Sequence, residues 1–167
     1  MTLLSLVALM LCAPLAATAA SLCSKGEVDY FSCKVAGSAK SISLCGSALH
    51  AAGGKGIGAD AWLQYRYGTP GKPELVYPAK KEPLSRHFEG HSMYTGDILI
   101  SALTFKRDGD LYEVIDSQDN TFVGVTGPGK AFKFDCDGPA TGPRTAKQPF
   151  AAVAKELSEL AARTGKK

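Results

Sequence analysis

The chain is short of the side chains that most enzymes work with. Its 167 residues include three histidines and one tryptophan, and no two cysteines stand in a C-x-x-C pair. The wide cysteine spacings argue against a zinc knuckle. His87 and His91 form an H-x-x-x-H pair. Pro83 and Gly90 make a helix poor there, however, and the glutamate of an H-E-x-x-H site is missing. Residues 90–94, GHSMY, follow a nucleophile elbow only until Tyr94, where the strained turn requires a small glycine. The glycine-rich stretch 47–60 lacks the Lys-Ser/Thr of a P-loop. Carboxylates are numerous, but no pair can be placed side by side from sequence. No catalytic residue, metal site or cofactor is expected.

Charge is equally uninformative about polyanionic partners. Nineteen Lys and Arg face sixteen Asp and Glu, a net +3. Lys72, Lys80 and Lys81 are scattered between prolines, and Lys166 with Lys167 ends the chain. Nucleic-acid binding needs a basic stripe interleaved with aromatics, and none is present, so no nucleic-acid partner is expected.

Residues 1–20 are the one long apolar run. Residues 3–20 carry no charge, and Ala17-Thr18-Ala19 fits an A-x-A cleavage site, the pattern of a secretory signal peptide. No Lys or Arg precedes the run, which implies a misassigned start or a weak signal. An uncleaved membrane anchor is the alternative. Removing residues 1–20 leaves about 147 residues, one domain by length and enough to bury a core. No later segment is apolar enough to span a bilayer, so no stable span is expected after cleavage. The expected location is periplasmic or secreted.

Cys12 departs with the leader. Cys23, Cys33, Cys45 and Cys136 remain, an even number that predicts two disulfides in an oxidising compartment. Strand parity suggests how they pair. Residues 27–35 alternate, with Phe31, Cys33 and Val35 on one face. Residues 36–39 are turn material, and residues 41–45 alternate again with Ile42 and Leu44 on the apolar side. A hairpin would set Phe31 near Leu44 and Cys33 near Ile42, sending Cys45 to the opposite face from Cys33. That parity predicts Cys23–Cys45 and Cys33–Cys136.

The remaining pattern is a succession of short strands. In residues 61–78, Leu63, Tyr65 and Tyr67 share a face, and Trp62, Gln64 and Arg66 share the other. A Gly/Pro turn then leads to Leu75 and Tyr77. A short strand is predicted over 84–88. Further strands are predicted over 97–105, 111–115, 121–125 and 130–136, joined by short turns suited to antiparallel neighbours. Among these turns, Asp108-Gly109 can take the positive φ values of a tight hairpin. Residues 138–148 read as a Gly/Pro linker. Pro149 opens an amphipathic helix over 149–163, with Phe150, Val153, Ala154, Leu157, Leu160 and Ala161 on one face and Gly165 as its stop. The fold class is therefore mainly β: an antiparallel barrel or compact sandwich of about eight strands over residues 21–137, with a C-terminal amphipathic helix that packs on the sheet or attaches loosely.

Aromatic and Arg side chains of residues 62–67 form the candidate binding set. Trp62, Tyr65, Arg66 and Tyr67 suit a glycan or partner protein; the alternative is that they pack the two sides of a sheet. The segments 30–33 (YFSC), 42–45 (ISLC), 63–68 (LQYRYG), 74–78 (ELVYP), 111–115 (LYEVI) and the late Cys136 resemble a group of small exported bacterial proteins that carry no established activity. This resemblance covers residues 22–136 and implies an extracytoplasmic β-rich domain. Residues 30–33 and 132–136 also resemble the opening and closing Cys strands of the C-type lysozyme inhibitors. That likeness implies a small β-barrel; Ser92-Met93-Tyr94 is a poor match to that family's inhibitory segment. The expected function is a non-enzymatic, inhibitor-like binding module with an extracytoplasmic protein or glycan as partner. A cell-envelope hydrolase, or a structural or stress-related protein, is the alternative.

Overall fold

The computed structural model describes residues 21–50, 54–117, 120–137 and 149–165. The leader, the 138–148 linker and the cleavage site lie outside them. Nine strands form two antiparallel sheets. The first contains β1 (Val28–Lys34), β2 (Ser41–Gly46), β3 (Leu63–Thr69) and β4 (Lys72–Tyr77) in sequence order. The second contains β5 (Glu89–Thr95), β6 (Ile98–Arg107), β7 (Asp110–Asp116), β8 (Thr121–Gly127) and β9 (Lys130–Asp135), also in order. The helix α1 (Pro149–Thr164) packs on β5, β6 and β1.

The alternation read from residues 27–45 is realised from Phe31 onward; before it a bulge between Asp29 and Phe31 shifts the register, and Tyr30 joins the core beside Phe31. Phe31 pairs with Leu44 and Cys33 with Ile42, and all four are buried. Cys45 points to the other face and bonds Cys23, while Cys33 bonds Cys136. The second disulfide sits where β1 and β9 meet in one isolated bridge, Val35 to Cys136. The bridge consists of two backbone bonds: Ala36 N–H donates to the Asp135 carbonyl and Asp137 N–H to that of Lys34. This corner does not close a barrel. The two sheets face each other as a sandwich, so of the two expected architectures the barrel is excluded.

Inner-face residues of both sheets make one core. Tyr65 of β3 lies against Phe105 and Tyr112 of the opposite sheet, and Phe105 stacks on Tyr77 and Tyr112 with centroids 4.7 Å away in each case. The helix contributes Phe150, Val153, Ala154 and Leu157 to the same core, with Phe150 5.3 Å from Phe31 between ring centroids. It is therefore part of the domain and is not loosely attached. Leu160 and Ala161 are only half-buried, since the helix runs out past the sheet.

Two differences from the strand pattern have local causes. Residues 84–88 are not a strand. Leu84–Arg86 is a 3-10 turn in which Phe88 N–H donates to the Leu84 carbonyl; four-residue spacing lets Leu84 and Phe88 both face inward. The strand that the pattern did not predict, β5, has no apolar alternation, and α1 crosses it closely at Gly90. A Cβ there would fall against the Ala154 carbonyl and within 2.6 Å of Leu157 Cβ, so the position excludes a side chain. The Asp108-Gly109 turn behaves as predicted. Both residues have positive φ, 52° and 85°, and join Arg107 to Asp110 as a two-residue type I′ hairpin requires.

Candidate functional site

The four residues of the candidate binding set do not form one surface. Tyr65 is sealed in the core, where burial first, and then the neighbouring tyrosines, push its phenol far above the ordinary range. Tyr67 is half-buried on the same inner side, 5.7 Å from the Phe134 ring and under the Lys40 ammonium. Trp62 and Arg66 lie on the outer side of the first sheet, as alternation along β3 dictates. The Lys81 ammonium covers the Trp62 ring at 4.2 Å.

Arg66 is the hub of that outer side. Its side chain is 10% exposed and its partner Glu27 8%. Arg66 Nη1 donates to Glu27 Oε2 at 2.7 Å and to the Leu22 carbonyl at 3.0 Å. Nη2 donates to Glu27 Oε1 at 3.0 Å and Gln64 Oε1 at 2.8 Å, completing a forked pair. A polar relay continues inward. Leu22 N–H donates to Ser43 Oγ, Ser43 and Ser32 hydroxyls meet at 2.8 Å, and Ser32 donates to Asp29. Since the one Ser32 proton goes to Asp29, Ser43 is the donor of the middle bond. Residues 21–27 are thus laced onto the outer face by hydrogen bonds, an ion pair and the Cys23–Cys45 disulfide.

Burial opposes ionisation of Glu27. The Arg66 guanidinium, the Ser24 N–H and the Lys81 ammonium outweigh it and hold the carboxyl at about 2, below its ordinary 4.5. In the unfolded chain the group takes up its proton near 4.5, whereas the folded protein resists until about 2. The stabilisation is therefore complete above pH 4.5 and is lost as pH falls through that window, an amount of about 2 kcal/mol after allowance for solvent around Lys81. Urea midpoints measured from pH 5 to 2 should fall, and the Glu27→Gln variant should lose this part of the slope. An unchanged slope would remove Glu27 from the account.

Between residues 21–27 and β4 lies a cleft of about 540 Å³ with Arg66 and Gln64 at its floor, Val76 and Pro73 on one wall, and Ser24 and Lys81 at the rim. It takes in Arg66 from the candidate set; Trp62 stands next to it beneath Lys81.

A second exposed feature is the β5–β6 hairpin. β7 ends at Asp116, opposite Ser101. The pairs Met93–Ile100, Tyr94–Leu99 and Thr95–Ile98 therefore run on beyond it. Met93 is 58% and Tyr94 67% exposed, and Ile98, Leu99 and Ile100 are half-buried. Its inner face, with Tyr94 and Leu99, bounds a groove of about 280 Å³ against Lys155 and Glu159 of α1. Sequence reasoning missed this feature. The only signal was Thr95-Gly96-Asp97, a turn preceding an apolar run.

The histidines hold separate partners. His50 Nε2 lies 2.6 Å from Glu156 of α1, and His87 Nε2 lies 2.7 Å from Glu82; His91 is exposed on β5. Among the described residues, the only three-ligand group within metal reach is Cys23, Glu27 and Cys45, and its two sulfurs are joined in a disulfide. No helix among the described residues is long and apolar enough to cross a membrane. The two disulfides point to an oxidising, extracytoplasmic environment. No protein-family model matches the chain, and no curated protein or solved structure is significantly similar to it.

Proposed function

We propose that this protein is an exported, non-enzymatic binding module, acting in the periplasm or outside the cell, and that it docks an extracytoplasmic protein through the β5–β6 hairpin. One observation carries the reading. Met93 and Tyr94, 58% and 67% exposed, sit on a two-stranded finger that outruns its sheet. Large apolar and aromatic side chains exposed on both faces of such a finger are the kind that anchor interfaces. A narrow finger suits the concave site of a partner, which is the geometry of an inhibitor. Ser92-Met93-Tyr94, the weak counterpart to the inhibitory segment of the lysozyme inhibitors, lies on this finger.

The test uses the mature protein and a Met93→Ser/Tyr94→Ser variant as baits in an extracytoplasmic extract, with C-type lysozyme assayed alongside for inhibition. The wild-type chain should retain a discrete partner. The variant should bind it at least about tenfold more weakly with an unchanged unfolding midpoint. Equal retention by both baits, or no partner for either, overturns the proposal.

A further inference from the structure

The cleft floored by Arg66 is built for a charge of one sign. The Glu27 carboxylate already has its countercharge in the Arg66 fork. Lys81 is therefore a second cation on a neutralised acid. It stands 3.3 Å from Glu27 Oε1 with its side chain 55% exposed. Among the described residues, no carboxylate lines the cleft itself; Glu74 and Glu82, which adjoin Pro73 and Lys81 in the chain, are held by Lys40 and His87. Lys25, Lys72 and Lys80 are exposed and adjoin lining residues in the chain: Ser24, Gly71 with Pro73, and Ala79 with Lys81. None of the three makes an ion pair among the described residues. Most lysines elsewhere differ: Lys34, Lys40, Lys130, Lys133 and Lys155 each hold a carboxylate of their own, and Lys55 and Lys106 stand singly away from the cleft. A concave, partly desolvated site with excess positive charge concentrates anions.

We propose that this cleft binds an oxyanion-bearing ligand, phosphate or carboxylate, on Lys81 and the basic rim, with the ligand's body resting on Val76 and Pro73. The Arg66 guanidinium is held by Glu27, Gln64 and the Leu22 carbonyl, so it forms a fixed floor with its charge balanced, and the excess charge is that of Lys81. The Trp62 ring under the ammonium holds Lys81 over the opening. Volume and wall chemistry suit a compact group of several charges better than a single small ion.

Tripolyphosphate and citrate serve as probes for the two sources of the charge. Amide shifts of the ¹⁵N-labelled mature protein are followed during titration at low salt. At least one probe should saturate, with shifts confined to residues 21–24, 64–66 and 71–81, and its affinity should fall as salt is added. Whichever probe saturates identifies the source. Lys81→Glu should weaken binding at least about tenfold and Lys81→Gln by less; both substitutions are at an exposed position. Lys133→Glu and Lys155→Glu, far from the cleft, should leave affinity unchanged. The proposal is overturned if neither probe saturates, if the shifts scatter over every lysine, or if the distant variants lose as much affinity as Lys81→Glu.

Discussion

Replacing Cys33 and Cys136 together by serine should lower the free energy of unfolding by about 4–5 kcal/mol. The reason is chain length. The bridge spans 103 residues, and the entropy withdrawn from the unfolded chain grows with the logarithm of the loop, reaching about 4.7 kcal/mol for a hundred residues and about 3 kcal/mol for fifteen. The Cys23–Cys45 bridge spans 22 and should cost about 3 kcal/mol when removed. Position adds to the difference. Cys33–Cys136 joins the first and last strands at the corner where one two-bond β-bridge and the exposed Lys34–Asp137 ion pair link β1 to the end of β9. Cys23–Cys45 fastens a surface segment to a sheet complete without it. Urea unfolding of the two double variants, without reductant, gives the comparison. If Cys23→Ser/Cys45→Ser were the more damaging, the fold would depend on the segment 21–27 more than on the corner.

Arg66→Ala should cost about 3–5 kcal/mol, the range for breaking a buried ion pair from one side. The variant leaves the Glu27 carboxylate 8% exposed with the Ser24 N–H and the more distant Lys81, and takes a donor from Gln64 Oε1 and another from the Leu22 carbonyl. Lys81→Ala removes the exposed partner of the same acid and should cost less than about 1 kcal/mol. Their ratio separates the buried pair from its surface neighbour. Replacing both members, as Glu27→Leu with Arg66→Met, should recover most of the loss, because apolar side chains of similar size carry no desolvation penalty. A loss below about 1 kcal/mol for Arg66→Ala would mean that solvent reaches the pair and screens it.

Much of the architecture was legible before any coordinates. Alternation along residues 31–35 and 41–45 set the β1–β2 register there, because a side-chain period of two leaves one register in which Phe31, Cys33, Ile42 and Leu44 share a face; the bulge before Phe31 was not legible. The same parity paired the cysteines. The turn at Asp108-Gly109 and the proline-opened helix were readable because they depend on local backbone chemistry alone. β5 was not, since its inner face is shaped by a helix sixty residues downstream that requires Gly90 and no apolar side chain there. The division of Trp62 and Arg66 from Tyr65 and Tyr67 was visible as alternation. Which face would be core and which would carry a polar relay was not.

The partners of Arg66 show where local reading stops. Glu27 lies 39 residues earlier and Lys81 lies 15 later, and nothing in either neighbourhood marks it as a ligand of that guanidinium. Lys81 reaches the rim of the cleft, with Lys72 and Lys80 next to lining residues, because β4 folds back along β3 and residues 21–27 are tied over both. Short-range patterns settled the strand class, the helix and the disulfides, since period, φ preference and parity act within a few residues. The absence of a closed barrel, the projecting hairpin and the basic cleft arise from contacts between segments far apart in sequence, whose free energy depends on burial and charge that no single segment carries.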